Sequence, residues 1–269
     1  MIPALVLTAG LATRLRPLSL VRAKGALPVA GEPLVCRILR GLAAHGVRDA
    51  VLNLHHLPHT LTAAVGDGSG LGMTVRYSWE VPVLGSAGGP RRALPILGAP
   101  SFLIVNGDTL TDVDLRALVA DHRAGGALVT LAVVPNTEPD KYGGVRVDED
   151  GAVTGFVRRG SGGPSFHFVG VQVAEAAAFA SVPPDTPFET VGALYPALIA
   201  GRRGAVRAFR TTAEFFDIGT PGDYLETALR LAAREGRPLA APGARIGAGA
   251  RLERTILGDD VGVDAGVML

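Results

Sequence analysis

The chain has 269 residues, 48% of them hydrophobic, enough to bury one large α/β core or a core with an appendage. With 26 basic against 25 acidic side chains the formal net charge is +1, so no broad attraction to nucleic acid is expected and any anion site must be local. A single cysteine, Cys36, excludes an intrachain disulfide and a multi-cysteine zinc site, and fits a reducing compartment.

The first apolar run, Ala4–Thr8, predicts a buried strand. Together with its flanks, Ile2–Ala9, it is too short for a signal-peptide core, and no apolar span of about 18 residues follows. These features predict a cytoplasmic protein with no membrane and no nucleic-acid partner. Leu34, Val35, Ile38, Leu39 and Leu42 recur at helical spacing, with Pro33 expected in the first turn and Gly46 just past the end. Ala50–Leu54, Met73–Trp79, Phe102–Asn106 and Ala127–Val133 read as further buried strands, and Trp79 as packing at a strand end. After Asp108, the residues Leu115, Leu118, Val119 and His122 share one helical face. This alternation predicts an α/β, Rossmann-like, mostly parallel mixed sheet with helices on both faces.

Beyond residue 134 the rhythm changes. A hairpin is expected around Glu149–Gly151, then a strand over Ser165–Ala174. Helices near Glu189–Ala200 and Pro221–Glu235 flank a strand at Val206–Phe209. In the last segment Ile246, Leu252, Val261 and Val267 fall near a six-residue spacing, as in the hexapeptide repeat of a left-handed β-helix. The expected division is a catalytic domain at 1–238 and a hexapeptide-repeat-like tail at 239–269, a stub of about one coil whose apolar edges are expected to contact either another subunit of a homo-oligomer or the catalytic domain.

A parallel sheet places its ligand at the carboxyl ends of its strands, where loops lead into helices. The first such loop, Gly10–Gly25, carries Arg14, a planar fork of donors, and Lys24, a compact charge. Gly10 permits close backbone approach, and free loop amides can cradle anionic oxygens. Together they describe a polyphosphate site. A nicotinamide site is excluded: Gly10 is followed by Leu11 and Ala12 rather than by a G-x-G-x-x-G pattern, and the second strand ends Leu-His-His with no acid. Phosphate chemistry of this kind needs a divalent metal held by carboxylates. Asp108 and Asp217 are the expected metal pair, whereas Asp112 and Asp223 suit helix capping. The grouped His55, His56 and His59 are assigned to packing, because Pro58 interrupts them.

These motifs resemble the sugar-1-phosphate nucleotidyltransferase (nucleotide-sugar pyrophosphorylase) family, in particular its mannose-1-phosphate guanylyltransferase-like members. "LTAGLATRLRPLSLVRAKGALPVAGEPL" is similar to the signature loop, "VPVLGSAGGP" to the base segment and "NGD" to the first metal site. "PDKYGGV" resembles a sugar-pocket segment and "FFDIGTPGDYL" the second metal site. The resemblance covers residues 3–230 with its motifs in family order. It implies transfer of a nucleotidyl group from an NTP to a sugar 1-phosphate, with Mg²⁺ as cofactor and with Arg14, Lys24 and Asp108 as catalytic residues. It also implies nucleotide binding by Leu7, Ala9, Gly10, Leu11, Ala12, Thr13, Gly85, Ser86, Ala87 and Gly88. Sugar binding is implied for Asn106, Gly143, Gly144, Arg159, Gly170 and Glu189.

Three departures stand out. Ala12 replaces a glycine and Ala23 a proline, and "FVRRGSGGP" stands where relatives carry Glu-Lys-Pro; Arg159 is then the expected phosphate ligand. Glu80, five residues before Gly85, is expected to accept the two adjacent donors of guanine, which favours GTP with a mannose-type phosphate. The alternatives are UTP or dTTP with glucose- or amino-sugar phosphates, and a non-catalytic paralogue that binds nucleotide-sugars and regulates a partner.

Overall fold

The computed structural model describes residues 1–241 and 243–269. In chain order the strands are β1 (Ala4–Leu7), β2 (Pro28–Val29), β3 (Glu32–Pro33), β4 (Asp49–Leu54), β5 (Thr74–Trp79), β6 (Ser101–Asn106), β7 (Thr109–Thr111) and β8 (Val129–Pro135). They continue with β9 (Gly144–Val147), β10 (Val153–Val157), β11 (Phe166–Glu175), β12 (Val206–Arg210), β13 (Phe215–Asp217), β14 (Arg245–Ile246) and β15 (Gly262–Val263). The helices are α1 (Leu34–Ala44), α2 (Pro58–Val65), α3 (Gly85–Leu97), α4 (Leu115–Gly125), α5 (Tyr195–Gly201) and α6 (Pro221–Glu235).

Nine strands share one sheet in the order β10-β9-β11-β6-β1-β4-β5, with β8 on β11 and β12 on β8. The half built from β6, β1, β4 and β5 is parallel throughout. β11 pairs antiparallel with β6, β8 and β9, joining the second half of the chain to the same sheet. Alternation along β1 explains why it needs cover on both faces: Ala4 and Val6 enter the core beneath α1 and α6, while Leu5 enters the core beneath α3 and α5.

Local chemistry sets the helix ends. α1 buries Leu34, Val35, Ile38, Leu39 and Leu42, and Pro33 lies at its N-cap rather than inside the first turn. Asp114, not Asp112, caps α4 by accepting from the amides of Arg116 and Ala117; Asp112 accepts from the Glu214 amide instead. Thr220 and Asp223 form the capping box of α6. Trp79 ends β5 at the sheet edge and is 54% exposed, so it does not pack as expected.

In the tail, Ala240 bridges Leu257, Arg245 pairs with Gly262 and Arg251 bridges Met268, all parallel and all 17 residues apart. Leu257 and Val263 are buried, whereas Ile246 and Val261 point outward. The inward positions are therefore offset from those the six-residue spacing suggests. Arg254 meets Glu226 of α6 at 2.9 Å, and Arg22 of the first loop pairs with Asp259. Among the described residues no helix is long and apolar enough to cross a membrane.

Candidate active site

The chain runs β1, β4, β5 outward in one direction and then crosses back to place β6 on the other side of β1. Strand order reverses there, and a crevice opens beyond the carboxyl ends of β1 and β6. Leu7 and Asn106, the last residues of the two strands, lie opposite each other in register. Gly107 then donates to the Leu7 carbonyl at 3.0 Å, and a Cβ on Gly107 would lie only 2.4 Å from that oxygen. Glycine is required there for the turn that delivers Asp108.

The resulting cleft encloses about 550 Å³. It is lined by Leu7 and the loop Ala9, Gly10, Leu11, Ala12, Thr13 and Arg14. Lys24, Asn106, Asp108, Gly85, Ser86 and Glu189 line it as well. The sequence-predicted residues thus converge from four separated segments. Thr8, Asn53, Gly107 and Gly219, which were not anticipated, line the same cleft. Asn53 carried a readable signal, since it is the one polar residue in the apolar run Ala50–Leu54.

Lys24 Nζ donates to Asp108 Oδ2 at 2.7 Å, and its side chain is only 15% exposed. β13 pairs with β7 so that Asp217 lies opposite Thr109, and the Ile218 amide donates to the Asp108 carbonyl. The two aspartates are thereby brought together by a two-stranded ribbon rather than by the main sheet. Burial pushes the Asp217 carboxyl above its ordinary value, with the charge of Asp108 adding to the rise and Lys24 and Arg14 opposing it. The carboxylates of Asp108 and Asp217 form an oxygen donor set suited to a hard divalent cation. Among the described residues no group of three or more His, Cys, Asp or Glu converges as a metal cluster.

The loop accommodates both of its departures. Ala12 sits in the left-handed region at φ 47°, ψ 43°, keeping a conformation that glycine would adopt without strain. Ala23 has φ −59°, suited to proline, but uses its amide to donate to Thr60 Oγ1 at 3.1 Å.

Other assigned residues are engaged elsewhere or stand away from the cleft lining. Glu80 presents no free carboxylate to a base: it is fully buried, with Oε1 accepting from Asn53 Nδ2 at 2.7 Å and Oε2 from the Leu84 amide at 2.8 Å. Ala87 and Gly88 lie inside α3, where their amides donate to the Phe188 carbonyl. A Cβ on Gly88 would come within 2.6 Å of the Thr186 carbonyl, so that glycine serves close packing rather than ligand approach. Arg158 and Arg159 are exposed beyond the end of β10 and do not line the cleft. Gly143, Gly144 and Gly170 also lie outside its lining. Gly170, at φ 80°, backs Asn106: a Cβ there would lie 3.0 Å from the Asn106 Cβ. Glu189 does line the cleft, accepting from Ser86 Oγ at 2.5 Å, while the Thr190 amide donates to the same hydroxyl at 2.8 Å.

Beside Asp217 stands an aromatic stack. Tyr142 and His167 have ring centroids 4.2 Å apart, and Phe215 lies 4.8 Å from His167. Burial lowers the His167 imidazole to about 4, so it is neutral at physiological pH. Lys141 reaches from this stack to Asp223 at 3.2 Å. Of the histidines around Leu57, His55 meets the Glu80 carbonyl and His56 the Ser19 carbonyl.

Comparison with known proteins agrees with this geometry. The family model described as "Nucleotidyl transferase" matches residues 3–234. Mannose-1-phosphate guanylyltransferase of Mycobacterium tuberculosis is 29% identical, covering 100% of this chain and 83% of that protein. UTP–glucose-1-phosphate uridylyltransferase of Synechocystis is 27% identical, covering 90% of this chain and 66% of that protein. The crystal structure of HddC from Yersinia pseudotuberculosis shares the fold with a TM-score of 0.76 at 24% identity, covering 86% of this chain and 100% of that one. A cleft of this build at the β1–β6 crossover, in a chain matched almost end to end, has one family assignment: the protein belongs to the nucleotidyl transferase family.

Proposed function

We propose that the chain transfers a nucleotidyl group from an NTP to a sugar 1-phosphate, with GTP and a mannose-type 1-phosphate as the preferred pair. The observation that carries the reading is the Lys24–Asp108 pair at the mouth of an amide-lined loop, with Asp217 alongside. An oxygen of the sugar's phosphate attacks the α-phosphorus; that P–O bond forms as the bond to the β-phosphate oxygen breaks, and pyrophosphate leaves. The loop Gly10–Thr13 orients the triphosphate through its amides, Arg14 meets the departing phosphates, and Lys24 lies where charge builds on the α-phosphate. Asp108 and Asp217 would hold a divalent cation, for which Mg²⁺ suits an all-oxygen donor set; when bound it supplies neutralisation of phosphate charge. Glu189 and Asn106 line the same cleft, which supports them as contacts to the sugar.

The name of the Mycobacterium tuberculosis relative favours GTP, and that of the Synechocystis relative favours UTP as the second reading. Glu80 no longer argues for either, because its carboxylate is spent internally. Pyrophosphate release should be measured for GTP, UTP and dTTP against mannose, glucose and amino-sugar 1-phosphates. Fastest turnover with GTP and mannose 1-phosphate is expected. A tenfold preference for UTP or dTTP would move the assignment to the second reading, and no turnover with any pair would leave a nucleotide-sugar-binding regulator.

We further infer that residues 1–238 form the catalytic domain and 239–269 a left-handed β-helix stub. The constant offset of 17 residues between parallel partners supports one coil. Ile246, Met268 and Leu269 stay exposed on it and support a contact between copies of the chain. Removing 239–269 should lower the mass in solution; unchanged mass and unchanged melting would overturn this.

A further inference from the structure

Among the described residues Glu80 is the only buried carboxylate, and no cation pairs with it. A buried charge without a counter-ion is costly unless hydrogen bonds satisfy it, so its retention calls for a role. Its two oxygens reach two different parts of the cleft. Oε2 accepts from the amide of Leu84, which leads directly into Gly85 and α3, the base side. Oε1 accepts from Asn53 Nδ2 at the end of β4. The other end of the same amide, Asn53 Oδ1, accepts from the amides of Thr8 at 2.6 Å and Ala9 at 3.3 Å, where the phosphate loop begins. Thr8 Oγ1 in turn donates to the Asn53 carbonyl. α3 leaves room for this contact only because Gly89 has no side chain: a Cβ there would lie 2.6 Å from Glu80 Oε1 and 2.9 Å from Asn53 Nδ2.

The amide of Asn53 has one usable orientation. Two N–H donors face one end, so the oxygen must be there, and the nitrogen must then face an acceptor. Only a group that accepts at both of its oxygens can satisfy Asn53 and Leu84 together, and an ionised carboxylate does so. We propose that Glu80 and Asn53 are positioning residues, a relay that sets the phosphate loop at Thr8–Ala9 from the base side of the cleft and acts on the triphosphate grip for every base alike. The inference rests on the NTP-binding part of the function proposed above.

Donor counting supplies the test. In Glu80→Gln one amide nitrogen must oppose either the Leu84 N–H or the Asn53 amide; flipping Asn53 only moves the clash to Thr8 and Ala9. In Asn53→Asp two buried carboxylates face each other with no donor between them. In the double variant Asn53→Asp/Glu80→Gln the introduced glutamine donates to the introduced aspartate and accepts from Leu84, while the aspartate accepts from Thr8 and Ala9. Every donor again meets an acceptor, and the buried charge is unchanged.

GTP and UTP binding should be measured by calorimetry without sugar, alongside melting temperature and amide hydrogen exchange of residues 8–13. Each single variant is expected to weaken both nucleotides by about tenfold and by the same factor, as one opposed buried donor implies. Exchange over 8–13 should quicken in each, and the double variant should recover wild-type affinity within about threefold. A changed GTP-to-UTP ratio in Glu80→Gln would make Glu80 a base reader and overturn the relay. So would a double variant no better than the singles, or lowered melting with affinity and exchange unchanged. Should a single variant not fold, the double variant decides: recovered affinity supports the relay, and a sound fold without affinity overturns it. Wild type that binds NTP without turnover leaves the relay standing and removes the transferase reading. Wild type that binds no NTP removes that reading, and the exchange of 8–13 then decides the relay.

Discussion

Lys24 Nζ lies 2.7 Å from Asp108 Oδ2, so the cation expected to meet phosphate is paired with the carboxylate expected to meet metal. A divalent cation held by Asp108, as proposed, would compete with Lys24 for that oxygen. Lys24→Ala should bind divalent cation more tightly in the absence of nucleotide, since the competing charge is gone. It should nonetheless slow turnover by about 10²-fold, through lost stabilisation of charge at the α-phosphate. Metal titration by calorimetry and pyrophosphate release check the two halves separately, and weaker metal binding in the variant would refute the competition.

Asp217 predicts a pH dependence with a definite sign. Its carboxyl is raised above 3.8 by burial, then by Asp108, so the folded protein holds a proton there at pH values where the unfolded chain has released it. Stability of the metal-free protein therefore falls as pH rises from 3.8 through the raised value, and the cost is complete above it. Asp217→Asn removes that cost. Without metal, its melting temperature should exceed that of the wild type at neutral pH, and the difference should vanish near pH 3.8. Activity should drop by about 10²-fold or more, because a charged metal ligand is lost. Equal melting curves at neutral pH would contradict the repulsion.

His167 titrates in the opposite sense. Burial lowers it from 6.5 to about 4, so below pH 6.5 the unfolded chain takes up a proton that the folded protein refuses until about pH 4. Its contribution is fully present above pH 6.5 and is lost as pH falls through that window. His167→Phe keeps a ring between Tyr142 and Phe215 and should flatten the loss of stability over the same range. Urea unfolding at stepped pH measures it; identical pH profiles would mean the imidazole is not held neutral.

Ala12 holds a left-handed conformation at φ 47°. An alanine there costs about 1 kcal/mol relative to glycine, part of which glycine's greater freedom in the unfolded chain offsets. Ala12→Gly should therefore leave stability unchanged or raise it by up to about 1 kcal/mol, with turnover retained. A loss of stability in denaturant unfolding would show that the methyl packs usefully against the loop.

Much of the cleft was legible because it depends on chain order and local chemistry. Apolar runs ending near Leu7 and Asn106 read as buried parallel strands whose following loops share the carboxyl-end crevice; the structure pairs the two strands directly, and Arg14, Lys24 and Asp108 line one cleft. Asp217 was legible for a weaker reason, its place between a strand-like run and a capped helix, and the pairing of β13 with β7 supplies the proximity.

What the sequence could not reveal was which polar groups are already satisfied. Helix α3, with three glycines and two prolines in thirteen residues, contradicts helical propensity, and only its close packing against Glu80, Thr186 and Phe188 makes those glycines useful. Glu80 read as a base ligand because a carboxylate near a base segment has two free acceptors on paper; in the fold both are consumed by Asn53 and Leu84. Arg159 read as a phosphate ligand by position in a motif, yet the hairpin carries it to the surface. Residue type and order determine what chemistry is available and which strand ends it gathers at. Burial and hydrogen-bond partners, which arise from contacts distant in sequence, decide which of those groups remain free to meet a ligand.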